Sequence, residues 1–307
     1  MVKPIIRVGI IGLSVHSADF TEILNAVNAQ SEGFHSKVVA IHHPKGNEDV
    51  EFSEEQLRNF SERIRDKGVY TVNSIAEVLE GVDAVMLLTN DGRPHLDQLV
   101  PVLEAGKPVY IDKPLAENLR NVLRIFHAAN NYGVKIFTSS ALRYGPQNQD
   151  FRDGKVVGTV LGAHTYGPAP LQKDHTDLFW DGIHGVESLF SVMGTGCQTV
   201  SRTWRDETDL LVGRWSDDRI GSFRGLRKGK NGFGGTVFGA EGIQPIGRFE
   251  GYKKLVAAID HFFVTGILPV DSGETIEIYA FMEAADESKR NGGMPIHIQD
   301  TLDRFKL

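Results

Sequence analysis

The chain has 307 residues, 41% of them hydrophobic and 24% charged, with a net charge of −7 and a pI of about 5.9. That length accommodates two domains, and no biased tract of the kind that leaves a chain disordered is present. The acidic balance argues against nucleic acid or an anionic membrane as partner, and the single cysteine, Cys197, excludes an internal disulfide or a cysteine-built metal site. No run approaches the roughly 18 apolar residues of a membrane span, and the residues after Met1 do not read as a secretory signal. A soluble, cytoplasmic protein is the expectation.

Ile5 to Ile11 is almost continuously apolar and β-branched, the pattern of a strand buried on both faces of a parallel sheet. Gly12 ends it, and Ser17 to Leu24 looks like a capped helix start. A second strand is expected at Lys37–Ile41, helices at Ser53–Lys67 and Ile75–Leu79, and a buried strand at Asp83–Thr89. His95–Glu104 reads as a helix interrupted by Pro101, with Gly106 at the position just past its end. Val109–Ile111 is a further buried strand that stops on Asp112-Lys113-Pro114. Leu119–Asn131 repeats apolar residues at helical spacing, and Val134–Thr138 makes one more strand. Strand and helix alternate throughout residues 1–140, which predicts a doubly wound parallel sheet of the Rossmann type.

Beyond about Ser140 the pattern changes. Strand-like runs at Val156–Tyr166, Thr199–Trp204, Leu210–Trp215, Ile220–Leu226 and Gly235–Phe238 are expected to form a largely antiparallel sheet. Helices are expected at Ile183–Met193, Tyr252–Val264 and Glu274–Lys289. Residues 141–307 therefore read as an α+β second domain.

A strand, a glycine turn and a helix at the N-terminus is where a dinucleotide fold places its pyrophosphate. The usual pattern is G-x-G-x-x-G. Here Gly12-Leu13-Ser14-Val15-His16-Ser17 keeps only the first glycine, with a Ser14 hydroxyl that is able to donate to a phosphate. At the end of the second strand, where a carboxylate usually meets the adenosine ribose, stand His42-His43-Pro44-Lys45. His43 and Lys45 suit a ribose phosphate, as in NADP, or are simply exposed loop residues. NAD and NADP both stay open.

Three blocks together resemble the glucose–fructose oxidoreductase/inositol dehydrogenase (Gfo/Idh/MocA) family. One is Leu88-Thr89-Asn90 with His95 and Leu103 to Pro108. Another is Asp112-Lys113-Pro114, in which Asp112 replaces the family's glutamate. The third is Trp180 to Glu187, in the manner of the family's substrate-domain helix. Smaller echoes are Leu142 to Pro146 and Glu274-Thr275 to Gly293. The resemblance implies a Rossmann domain, then a substrate domain whose open sheet mediates homo-oligomer formation, and hydride transfer between a nicotinamide and a carbinol carbon of a sugar, inositol or related polyol. It implies that Lys113 orients and polarises the reacting oxygen and that His184 is the acid/base. Gly12, Ser14, His43, Thr89, Asn90, His95 and Asp112 fall on the implied cofactor side. Many members place an aspartate four residues before the helix histidine. Here Trp180 stands there and Asp181 follows, so Asp181 joins the relay or Trp180 offers an aromatic wall to a sugar face.

The chemistry is consistent on its own terms. Alcohol oxidation needs a base for the hydroxyl proton and a positive charge beside the developing alkoxide, tasks that suit a histidine and a lysine. His184, Glu187, Ser188 and Ser191 share one helix face, a polar stripe able to look into a cleft, with Glu187 available to orient the imidazole. Arg143, Tyr144 and His175 are further candidates for substrate contact, and the loop 168–179 either covers substrate or is a solvated surface loop. His175, Asp177 and His184 match no familiar zinc spacing, so no metal is expected. Two other classes of function stay in view. One is glycoside cleavage or elimination through transient oxidation by a retained nicotinamide; the other is a binding or regulatory relative whose cofactor site has degraded.

Overall fold

The computed structural model describes residues 4–44 and 46–306, and the chain divides into two compact units. The first takes the chain as far as Ala116, then 124–138 and 252–271. The second takes 117–123, 139–251 and the chain from Ser272 onward.

The first unit opens with β1 (Ile6–Ile11), α1 (Val15–Leu24), β2 (Ser36–His42), α2 (Glu54–Arg65), the short β3 (Tyr70–Thr71) and α3 (Ile75–Leu79). It continues with β4 (Ala84–Leu87), α4 (His95–Glu104) and β5 (Val109–Ile111), and after α5 (Leu119–Tyr132) it adds β6 (Ile136–Phe137). Every strand pairs in parallel, in the order β3-β2-β1-β4-β5-β6. This is the doubly wound order, with its switch point between β1 and β4. The inner strands carry no polar alternation because both faces are covered: all four residues of β4 and all three of β5 are buried. The helices stay two-sided. In α2 only Phe60 and Ile64 are buried, and Ser53 starts the helix by accepting from Gln56 N while the Gln56 side chain reaches back. Register then sets the site. Ile11 lies level with His42 and with Leu87, and Leu87 with Ile111. Gly12, His43, Leu88 and Asp112 consequently leave the sheet along its carboxyl edge, where ligands of such sheets bind.

The second unit begins with a 3-10 turn (Ala141–Tyr144) and α6 (Asn148–Arg152). There follow β7 (Val160–Pro168), α7 (Gly182–Met193), β8 (Cys197–Arg205), β9 (Thr208–Trp215), β10 (Ile220–Leu226), β11 (Gly234–Gly239) and β12 (Ile243–Ile246). The chain places α8 (Lys253–Thr265) in the first unit, and α9 (Ser272–Arg290), β13 (Ile296–His297) and α10 (Ile298–Phe305) complete the second. The seven strands run in the order β12-β11-β7-β10-β9-β8-β13. All pairings are antiparallel except β7 with β10. That exception arises because α7 follows β7 and carries the chain back across the sheet, so the β8–β9–β10 meander returns β10 beside β7 in the same direction. The β7 strand starts at Val160 and not Val156, since residues 153–157 are in turns. Buried residues Ile183, Val186, Leu189 and Phe190 of α7 pack its apolar side, and Phe190 meets the rings of Trp215 and Phe281 at 5.4 and 5.5 Å. Among the described residues no helix is long and apolar enough to cross a membrane.

Candidate active site

At the end of β1, Gly12 has φ +101°, and a Cβ there would run into the backbone of Thr89, so this turn requires glycine. Ser14 is the N-cap of α1: its Oγ accepts from Ser17 N (3.3 Å), and Ser17 Oγ accepts from Ser14 N (3.1 Å) and donates to the Gly12 carbonyl (3.0 Å). Both serines are buried. The hydroxyls that replace two fingerprint glycines therefore bond to the turn itself. The N–H groups of Val15 and His16, first in the helix, have no acceptor within it, and the helix dipole adds to their pull on an anion. The turn thus fits a dinucleotide pyrophosphate, with Gly12 and the start of α1 as its holders.

His16, absent from the sequence reading as a site residue, is the centre of a buried cluster. Its Nδ1 lies 2.6 Å from Asp112 Oδ2, and its ring stacks on Phe20 (5.3 Å) and meets Tyr252 edge-on (4.7 Å). Asp112 Oδ1 accepts from the Lys113 main-chain N at 2.9 Å. Burial by itself would raise the Asp112 carboxyl, but the charges and hydrogen bonds of His16 and Lys113 hold it below the usual range. Asp112 was expected on the cofactor side; the structure instead engages both its oxygens in fixing the strand end from which Lys113 starts. The Lys113–Pro114 peptide is cis.

Thr89 and Asn90 follow β4. Thr89 Oγ1 donates to Gln98 Oε1 (2.7 Å), and Asn90 Nδ2 donates to the Val50 carbonyl (3.2 Å). His95 is wholly buried, its two ring nitrogens 3.0 Å from the carbonyls of Leu115 and Thr89, and burial lowers its pKa against the pull of those carbonyls. Expected to line the cofactor pocket, it has no surface to offer and ties the loop after β4 to the loop after β5. His43 borders a small open cleft with Leu13, Asn47, Glu51 and Asn90. Lys45 lies outside the described residues.

In the second unit His184 is the third residue of α7. Its Nδ1 is 2.7 Å from Ser140 Oγ, and its Nε2 is 4.0 Å from Asp181 Oδ1. Ser140 Oγ also accepts from Leu142 N (3.2 Å), which fixes the hydroxyl from the main chain. Behind it, the Glu187 carboxylate accepts from Ser139 Oγ (2.7 Å), Ser140 N (2.8 Å) and Arg143 Nε (2.7 Å). Arg143 also bonds Glu274 Oε1 at 2.7 Å, and Arg152 reaches the other Glu274 oxygen at 2.9 Å. Burial would lower the Arg143 guanidinium, yet Glu187 and Glu274 hold it above its ordinary value. Burial pushes the Tyr144 phenol up to about 12.

This changes three expectations. The polar stripe of α7 does not look into a cleft: Glu187, Ser188 and Ser191 are buried, and Ser191 Oγ accepts from Asn148 Nδ2 (2.9 Å). Glu187, expected to meet the imidazole, bonds the main chain of Ser140, whose hydroxyl meets the ring. Arg143 is held by two carboxylates. Trp180 meets His175 edge-on at 5.2 Å. The loop before α7 is anchored, since Asp177 bonds Arg202 (2.9 Å) and Lys289 (2.6 Å), and Thr176 N donates to the Glu117 carbonyl (2.9 Å). Sequence reasoning missed Ser140 and Glu274. Their partners lie 44 and 131 residues away, so no local spacing marks them.

Residues 6–140 match the Gfo/Idh/MocA family model, described as an oxidoreductase family with an NAD-binding Rossmann fold. The matched segment is the strand–helix alternation of the first unit, a little under half of the chain. An inositol 2-dehydrogenase of Saccharopolyspora erythraea is 31% identical over 102 residues, which is 32% of this chain and 30% of that protein. The match thus spans less than a third of the relative's length. Two solved structures share the fold over nearly the whole chain. An oxidoreductase from Thermotoga maritima is similar with a TM-score of 0.75 at 15% identity, covering 97% of this chain and 99% of the other. The scyllo-inositol dehydrogenase of Lactobacillus casei, solved with NAD(H) and scyllo-inositol, has a TM-score of 0.73 at 14% identity, covering 96% and 99%.

Proposed function

We propose that this protein is a member of the Gfo/Idh/MocA family and an NAD(P)-dependent dehydrogenase acting on a carbinol carbon of an inositol, sugar or related polyol. The observation that carries the reading is the imidazole of His184 held at Nδ1 by a main-chain-anchored serine hydroxyl, in a chain whose other unit has the dinucleotide turn. The inositol dehydrogenases among its relatives support the substrate class. When bound, a nicotinamide accepts hydride from the alcohol carbon or returns it to a carbonyl.

Within this chain, Gly12 and the start of α1 would hold the pyrophosphate. Lys113 stabilises negative charge as it develops on the reacting oxygen. His184 Nε2 takes the hydroxyl proton, or gives it back in the reverse direction. Ser140 permits both. With Nδ1–H donating to Ser140 Oγ, Nε2 is a base; with Ser140 donating to Nδ1, Nε2 carries the proton to be given. Asp181 Oδ1 lies 4.0 Å from Nε2, beside the nitrogen that exchanges the proton. The face of the second sheet turned away from α7 carries Tyr166, Val212, Ile220, Phe238 and Ile243 interspersed with His164, Arg214 and Arg224, a mixed apolar and basic face that would meet a second copy of the chain in a homo-oligomer.

The test is titration calorimetry of the full chain with NAD, NADH, NADP and NADPH, followed by absorbance of the reduced nicotinamide on addition of myo- and scyllo-inositol and a panel of sugars. Binding of at least one dinucleotide and polyol-dependent reduction are expected. Absence of binding by all four would overturn the enzyme reading, and product formed without net reduction would point to transient oxidation instead.

A further inference from the structure

The end of β2 offers no carboxylate of its own, since His42, His43 and Pro44 stand there. The fold brings one to that place from further along the chain. Residues 46–51 are laid against the loop after β4: Asn47 Nδ2 donates to Asp91 Oδ2 at 2.5 Å, and Asn90 Nδ2 donates to the Val50 carbonyl at 3.2 Å. Arg93 fastens the same segment by bonding Asp49 Oδ1 and Asp91 Oδ2, each at 2.7 Å. Glu51 thereby joins Leu13, His43 and Asn90 in lining a small open cleft.

Two details suit this carboxylate to a ligand. Its Oε1 accepts from Phe52 N at 3.2 Å, while Oε2 has no hydrogen-bond partner among the described residues. Oε2 lies over Gly46, in the space a Cβ would take there. Asp91, the other acid of the cleft, is engaged by Arg93 and Asn47. His43 supplies little countercharge. Its Nδ1 is buried without a hydrogen-bond partner, and burial lowers its pKa in spite of Glu51.

We infer that Glu51 holds the hydroxyls of the adenosine ribose and sets the cofactor preference to NAD over NADP. The inference rests on the reading that the first unit binds a nicotinamide dinucleotide. An ionised carboxylate accepts hydrogen bonds from ribose hydroxyls, and it repels a 2′-phosphate carrying roughly two negative charges. In dinucleotide folds that task falls to an acid about 20 residues after the glycine turn, at the end of the second strand. Here the same corner is reached by folding the following loop back over it.

Calorimetric titration of the full chain and of Glu51→Gln, with NAD, NADP and NAD lacking the adenosine 2′-hydroxyl, tests the assignment. The wild type is expected to bind NAD about tenfold or more tighter than NADP, and Glu51→Gln to lose about tenfold in NAD affinity while its NADP affinity rises. The 2′-deoxy analogue is expected to bind both proteins alike, and the wild type about tenfold more weakly than NAD. Unchanged NAD affinity in Glu51→Gln, a wild type that prefers NADP, or a wild type that binds NAD and its 2′-deoxy analogue equally would each overturn the role of Glu51 and leave dinucleotide binding standing. Should Glu51→Gln fail to fold, the analogue arm on the wild type decides alone. No binding of any of the three by the wild type would overturn the dinucleotide reading, and this inference with it.

Discussion

Helices α1 and α7 each place an imidazole in their first turn, and the two are held by different chemistry. His16 meets a buried carboxylate, Asp112, at 2.6 Å, whereas His184 meets a hydroxyl, Ser140, at 2.7 Å. A carboxylate is an acceptor only, so it fixes the Nδ1–H tautomer. A hydroxyl both donates and accepts, so it leaves the ring able to hold its proton on either nitrogen. The first arrangement is suited to holding a strand end in place. The second is suited to moving a proton, and the charge that backs it is set one residue further off, at Glu187.

The sharpest way to break this contrast is to remove each ring in turn. His184→Ala is expected to cut kcat by about 10²–10⁴-fold with little change in stability, measured by steady-state assay and urea unfolding. His16→Ala should do the reverse in kind, costing about 3–5 kcal/mol because Asp112 is left buried without its partner. The pH dependence separates them again. With its folded pKa depressed, Asp112 contributes stability that is present above the unfolded carboxylate pKa and is lost as pH falls through the folded one. That acid loss should shrink in His16→Ala and persist in His184→Ala. A His184→Ala variant that unfolds, or a His16→Ala variant that keeps full stability, would dissolve the distinction.

Next in size is the support beneath Ser140. Arg143→Met takes from Glu187 the guanidinium that bonds it, leaves Glu274 to Arg152, and is expected to lower stability by about 3 kcal/mol in denaturant unfolding. If Arg143 served chiefly to meet substrate, stability would hold and KM would rise.

How far these regions are legible in the sequence differs for the same physical reason. The parallel sheet is readable because β4 and β5 are buried on both faces and written as apolar runs. Lys113 and His184 stand out as candidates in the sequence because each sits beside a local landmark, a strand end followed by proline or the start of an amphipathic helix. The partners are not. Asp112 and His16 are 96 residues apart, and Arg143 and Glu274 are 131 apart, so only folding defines them. The polar face of α7 was periodic, but periodicity states which residues share a face and not what that face meets. Glu187 and Ser191 turn out to face the 139–148 segment.

A smaller effect is expected of Ser140→Ala, which deletes the hydroxyl that the imidazole uses. Loss of one hydrogen bond to a group that becomes charged should reduce kcat by roughly tenfold to a hundredfold, with KM for the polyol unchanged. Ser140→Thr, which keeps the hydroxyl, should restore most of it. A merely structural serine would show equal losses in both variants, accompanied by a fall in melting temperature.

The smallest effect concerns α1, where Ser14 occupies a fingerprint glycine position. Its backbone is extended, at φ −149° and ψ 176°, so nothing in the main chain demands glycine or forbids serine there. The consequence of the hydroxyl lies in the cap, since it occupies the Ser17 N–H that would otherwise face an incoming phosphate. Glycine is nearly as good an N-cap as serine, but it adds freedom to the unfolded chain. Ser14→Gly is therefore expected to lower stability by less than about 1 kcal/mol and to tighten dinucleotide binding by roughly two- to fivefold. A weaker affinity on that change would mean that the serine hydroxyl itself donates to the pyrophosphate. The turn would then be an altered anion site that uses a side chain where others use backbone.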